Sequence, residues 1–121
     1  ELMRNIIYLL TKEKRYQEIV NMISQLILLD PTSRSYEQLG WAEFRLGDYG
    51  ESIKAYKIAV DYDPENWRSL NGIGVNELNN WLLGDRTDDV SFQDARAVFR
   101  RSLAIEPNQP KVITLILRYG L

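Results

Sequence analysis

The sequence predicts an all-α fold built from repeated helix–turn–helix units. Three observations carry that expectation. One pattern closes three segments: QLILLDPT (Gln25–Thr32), IAVDYDPEN (Ile58–Asn66) and SLAIEPN (Ser102–Asn108), each an apolar run, an acid and a proline. The prolines Pro31, Pro64 and Pro107 stand 33 and 43 residues apart, the spacing of helical-pair repeats with one insertion of about nine residues. Between these endings the apolar residues recur at helical spacing rather than in alternation. At 121 residues, 45% hydrophobic and 26% charged, the chain can bury one real core. No apolar run reaches the roughly 18 residues of a membrane span.

The elements follow in order. The first unit, residues 1–32, is degenerate. Its first helix is expected over Leu2–Thr11, and its second carries Tyr16, Ile19, Val20, Ile23, Leu26 and Ile27 as one stripe. The second unit, residues 33–66, is the clearest. Its first helix is expected over Arg34–Leu46, with Tyr36, Leu39, Ala42 and Leu46 at helical spacing. Gly47–Asp48 is the turn, the glycine for left-handed backbone and the aspartate to cap the next helix. The second helix is expected over Tyr49–Tyr62, with Ile53, Tyr56, Ala59 and Val60 on one face. Pro64 cannot extend it and holds Asp63 out of the helical region. The third unit, residues 67–109, has a first helix expected to reach Leu83, with Gly84 as its stop. A polar loop, Asp85–Asp89, follows, and Ser91 is expected to cap the second helix, so the insertion falls at 82–91. A last helix occupies 110–121 and opens on Pro110, at the position that tolerates proline best. The chain reads as a single domain. Because it begins with Glu1 rather than Met, it is expected to be a piece of a longer protein.

The second unit resembles a tetratricopeptide repeat (TPR) over its full length. Tyr36, Leu39 and Gly40 stand at that family's large, leucine and small positions of the first helix, and Gly47-Asp48-Tyr49 matches its turn. Ser52, Tyr56 and Ala59 fall at the small, large and small positions of the second helix, and Pro64 closes the unit. Leu70, Ile73 and Gly74, then Ala95, Phe99, Ser102 and Pro107, repeat the pattern in the third unit. The departures are Glu43, where the family often carries an aromatic, Ser52 in place of alanine, and Ile7 and Leu26 in the first unit. The last two imply looser packing or a different crossing there. The resemblance implies a right-handed solenoid of three units plus a C-terminal helix, seven helices in all, whose first helices line a concave groove. By repeat position it assigns to that groove Arg4, Tyr8, Thr11 and Lys12 of the first unit. From the second it assigns Arg34, Glu37, Trp41, Phe44 and Arg45, and from the third Arg68, Asn71, Val75, Leu78 and Asn79.

Residue spacing supports the middle set independently. Arg34, Glu37, Trp41, Phe44 and Arg45 form one helical stripe opposite Leu39 and Leu46. Two large aromatics outside the helix-pair core point to a contact, and interleaved arginines point to an acidic or carboxylate-bearing partner. The alternative is that Trp41 and Phe44 pack against the neighbouring first helices. Trp67 and Trp81 are expected elsewhere, at the inter-unit junction and on the helix extension. Some TPR domains grip the acidic tails of heat-shock chaperones with a carboxylate clamp of Lys, Asn and Arg residues. The matching positions here are Arg4, Tyr8, Gln38, Arg68 and Gly72, of which the two arginines alone fit, so this version of the function is not expected. On the last helix, Lys111, Thr114 and Arg118 form a narrow polar stripe. Ile113, Ile116 and Leu117 belong to an apolar surface wider than one packing contact needs. Either the helix is buried on two sides, or this surface is an interface with another copy or domain.

Composition narrows the chemistry. A net charge of −2 argues against a general nucleic-acid binder. The absence of Cys and His removes disulfides, thiol nucleophiles, imidazole acid–base chemistry and the usual zinc ligands. Glu43 with Glu51, and Asp88 with Asp89, are carboxylate pairs without a pocket. Asp85–Asp89 lacks the ligand alternation, glycine and distal glutamate of a calcium loop, and Gly72-Ile73-Gly74 follows no strand. No catalytic, cofactor or metal site is expected. The expected function is a non-enzymatic module that binds a protein or peptide, with an acidic segment favoured and neither nucleic acid nor membrane insertion involved. The alternatives are a structural self-association domain of its parent protein, a homo-oligomer joined through the apolar last helix, or else a regulatory or substrate-recruiting part of a larger enzyme. With no signal-peptide pattern at the start, a soluble location is expected, the cytoplasm ahead of the periplasm.

Overall fold

The computed structural model describes Met3 and residues 5–8 and 15–121. Six complete helices follow one another: α1 (Tyr16–Leu29), α2 (Ser33–Leu46), α3 (Tyr49–Tyr62), α4 (Trp67–Leu83), α5 (Asp89–Ile105) and α6 (Pro110–Tyr119). Residues 5–8 are also helical. The rest of the expected Leu2–Thr11 helix, with Arg4, Thr11 and Lys12, lies partly or wholly outside the described residues. Consecutive helices pair as expected: α2 with α3, α4 with α5.

The acid–proline endings act alike. Asp30, Asp63 and Glu106 follow α1, α3 and α5 with φ/ψ of −150°/76°, −143°/98° and −131°/98°. A residue before proline is driven out of the helical region, and each still donates its N–H to the carbonyl four residues back. The starts are fixed by short polar side chains. Thr32 and Ser35 form a reciprocal capping box at α2, which sets its start one residue before the expected Arg34. Asn66 accepts from the Ser69 N–H at α4. Gly47 closes α2 in the left-handed region at φ 85°.

Two capping expectations need correction. Asp48 precedes α3, but its side chain makes no capping hydrogen bond. Ser91 is not the cap of α5. Asp88 is, accepting from the Ser91 N–H and from its hydroxyl, so α5 starts at Asp89 and swallows the end of the expected loop. Half of the insertion is helical, residues 82–83 and 89–91: α4 and α5 each have 17 residues against 14 in α2 and α3.

The core is continuous with the helical stripes. Ile7, Ile19, Ile23 and Ala42 form one cluster, so Ile7 fills rather than loosens the first unit. Leu78, Ala95, Phe99, Val112 and Leu121 form another, which seats α6 against α4 and α5. Close approach within the pairs depends on missing side chains. A Cβ on Gly40 would meet the Tyr56 ring at 2.8 Å, and one on Gly74 would meet the Phe99 ring at 2.7 Å. Among the described residues, no helix is long and apolar enough to cross a membrane.

Candidate functional site

The groove between α2 and α4 has Tyr56 of α3 as its floor. The Tyr56 ring lies between two backbones that carry no side chain toward it: a Cβ added to Gly72 would sit 2.4 Å from the ring, closer still than the 2.8 Å of one on Gly40. Burial pushes the Tyr56 phenol well above its ordinary value, with Glu37 adding to the effect, so the hydroxyl stays neutral.

Three adjoining hollows make up the groove. The widest, about 580 Å³, lies where α2 and α4 begin and has Arg34, Glu37, Trp67 and Arg68 in its wall, together with Asp63 and Glu65. The middle one, about 350 Å³, is bounded by Gln38, Trp41, Tyr56 and Arg68. The third, about 230 Å³, runs between Trp41, Phe44 and Arg45 on one side and Asn71 and Val75 on the other. Arg68 borders all three.

Most of the expected groove residues therefore share one surface: Arg34, Glu37, Trp41, Phe44, Arg45, Arg68, Asn71 and Val75. Leu78 does not. It is 5% exposed and packs in the cluster that α4 forms with α5 and α6, so it is core and not groove wall. Tyr8 is exposed but borders none of the three hollows, and Arg4 lies outside the described residues. Both aromatics also pack within the fold, though against second helices of the units and not against the neighbouring first helices of the alternative reading. Trp41 meets Tyr16 of α1 edge-on at 5.5 Å between centroids, and the Arg45 guanidinium lies 5.3 Å from the same ring. Phe44 packs on Tyr49 across the turn. Trp41 nonetheless keeps 37% of its surface exposed.

Some groove residues were not legible as such. Tyr56 reads as core, though the paired glycines Gly40 and Gly72 signal a ring held against two backbones. Trp67, expected at a junction, borders the widest hollow beneath the Arg68 guanidinium, 4.3 Å from its centroid. Asn71 donates to Gln109 Oε1 at 2.7 Å, which ties the groove wall to the segment leading into α6, while its own Oδ1 is enclosed without a partner.

Residues 33–66 match the family model for the tetratricopeptide repeat. The whole chain superposes on the Arabidopsis OM64 TPR domain with a TM-score of 0.85 at 20% identity, covering 98% of this chain and 91% of that one. The chain has the fold of a tetratricopeptide-repeat solenoid. The chain also superposes on the first TPR of Spaghetti (RPAP3) bound to the HSP90 peptide SRMEEVD, with a TM-score of 0.83 at 16% identity, covering 97% and 86%. A third similar structure is PcrH in complex with the chaperone-binding region of PopB, with a TM-score of 0.75 at 21% identity, covering 99% and 90%. In sequence, the Hsp70-Hsp90 organizing protein of Triticum aestivum is 30% identical over 76 residues, which is 60% of this chain and 13% of that protein. This chain thus spans about an eighth of that relative's length.

Proposed function

We propose that this TPR domain is a non-enzymatic protein–protein interaction module that holds an extended peptide segment in the α2–α4 groove. The observation that carries the reading is the continuity of the groove: three hollows in a row, walled by Trp41, Phe44, Arg34, Arg45 and Arg68, with an aromatic floor. Aromatic and arginine side chains supply most of the energy at interfaces, and guanidinium groups select carboxylates by geometry as well as charge. Related folds holding the HSP90 peptide and the PopB segment are consistent with this use. The segment favoured is acidic, with its side chains rather than its terminal carboxylate recognised. Tyr8, Gln38 and Gly72 carry no cation, and Tyr56 leaves no room for a side chain at position 72.

The test is titration of the domain with an acidic heptapeptide, with its C-terminally amidated form, and with a form whose acids are replaced by amides. Binding is expected to survive terminal amidation and to fail on neutralising the side chains. Equal binding of all three would remove the arginine wall from the reading.

A second reading rests on a different surface. Leu117 is 79% and Ile113 41% exposed, and with Leu103, Ala104 and Ile116 they border a hollow of about 380 Å³ between α5 and α6. This apolar face suits self-association through α6. Ile116, named with them, is half-buried against the core and contributes less free surface.

A further inference from the structure

Two carboxyl groups inside the helical pairs take no part in the groove. Glu43 follows Gly40 by three residues, and Glu77 follows Gly74 by three, so both occupy the same repeat position in successive units. Glu43 Oε1 is enclosed without a hydrogen-bond partner. Glu77 is 9% exposed and sits at the bottom of an outer groove between α3 and α5. The charges acting on Glu43 are both negative: Glu51 of α3 and Asp48 of the turn. Glu77 faces Asp94 of α5, which hydrogen-bonds it, Asp88 at the α5 cap, and Lys57 of α3, whose positive charge opposes them. Asp61 of α3 and Arg101 of α5 stand on the rim of the same groove.

A carboxyl taken from water and set against another carboxylate is favoured in its neutral form. Burial, then Glu51, then Asp48, raise Glu43 from 4.5 to about 7. Burial and Asp94 raise Glu77 as well. We propose that Glu43 and Glu77 form a repeated pH latch: protonated, each lets its helical pair close, and ionised, each pushes its pair apart near the turn. The sign follows from linkage. The folded domain keeps protons that the unfolded chain gives up at the ordinary glutamate value. The stability they contribute is therefore complete below that value and is lost as pH rises through about 7. Asp88 acts oppositely, since hydrogen bonds from Ser91 lower it, but its change is finished at more acid pH.

The experiment compares thermal midpoints of the domain at about pH 5.5 and about pH 8, with the Glu43 side-chain carboxyl followed by carbon NMR. The wild type is expected to melt several degrees higher at the lower pH, and Glu43 to titrate near neutrality. Glu43→Gln and Glu77→Gln should each flatten the difference. Glu51→Gln and Asp94→Asn remove the facing charges without touching the buried groups and should shrink it too, so the test stands even if a glutamine variant does not fold. A midpoint equal or higher at pH 8, or a Glu43 titrating at the ordinary glutamate value, overturns the latch. So does a full pH difference persisting in the variants.

Discussion

Ser52 stands where the repeat usually places alanine, and it does more than leave room. Its hydroxyl donates to the Gly40 carbonyl at 2.6 Å and accepts from Asn76 Nδ2 at 3.0 Å, with all three residues buried. Asn76 also donates to the Gly72 carbonyl. One serine thus joins α2, α3 and α4, and the two glycines it reaches, one directly and one through Asn76, are those that flank the Tyr56 ring. Ser52→Ala, although it restores the common residue, should destabilise the domain by about 1–3 kcal/mol, because Asn76 then loses a partner in a place water cannot reach. Chemical denaturation measures this. The pairing of Ser52→Ala with Asn76→Leu should cost much less than the two changes added together, since removing both partners leaves nothing orphaned. Additive costs would show that the serine acts through packing alone.

Among the helices, ends were harder to read than bodies. The Tyr49–Tyr62 helix stands where its apolar spacing puts it, and the three acid–proline stops are legible because the restriction on the residue before proline is local. Caps compete within a few residues. Asp88 and Ser91 both suit a helix start, and the choice between them depends on how far the insertion continues as helix. The lengthened helices α4 and α5 are joined through two consecutive left-handed residues, Asp85 and Arg86, at φ 55° and 61°. Neither is glycine, and such backbone costs roughly 1–2 kcal/mol per residue. The Arg86 guanidinium offsets part of this by lying over the Trp81 and Tyr119 rings, at 5.2 and 5.9 Å, the second a contact between residues far apart in the chain that no local pattern reveals. Leu78 was misread for the same reason: it is buried in a cluster with Ala95 and Phe99 of α5 and with Val112 and Leu121 at the end of the chain. At the start of α2 the local signal is complete, and Thr32→Ala should cost about 1 kcal/mol. Thermal unfolding checks this, and Ser35→Ala should cost little more in the Thr32→Ala background, because the two hydroxyls form one box.

For the whole molecule, two surfaces compete for the role of interface, and they separate by how they respond to charge and concentration. The α6 face is apolar. If it joins copies, light scattering should find a concentration-dependent oligomer that Leu117→Lys converts to monomer with helicity intact. A side chain of this size is worth roughly 1.5–3 kcal/mol when fully buried, and Leu117, being 79% exposed, can be changed without entering the core. A wild type that stays monomeric at high concentration leaves α6 as a cap on the solenoid. The groove depends instead on arginines, so its affinity for an acidic segment should fall as salt rises. Trp41 should be its anchor. Trp41→Ala should weaken binding by about 2 kcal/mol or more, while the lost edge-on contact with Tyr16 lowers fold stability by a smaller amount, about 1 kcal/mol. Fluorescence can follow this if Trp81, packed on Phe92 away from the groove at 4.9 Å, is the reference. A ligand should perturb Trp41 and Trp67 and leave Trp81 unchanged, as variants keeping a single tryptophan would report. If Trp41→Ala instead unfolds the domain, and Arg45→Ala leaves peptide affinity untouched, then the stripe on α2 serves only to hold α1, and recognition must move to the α6 face.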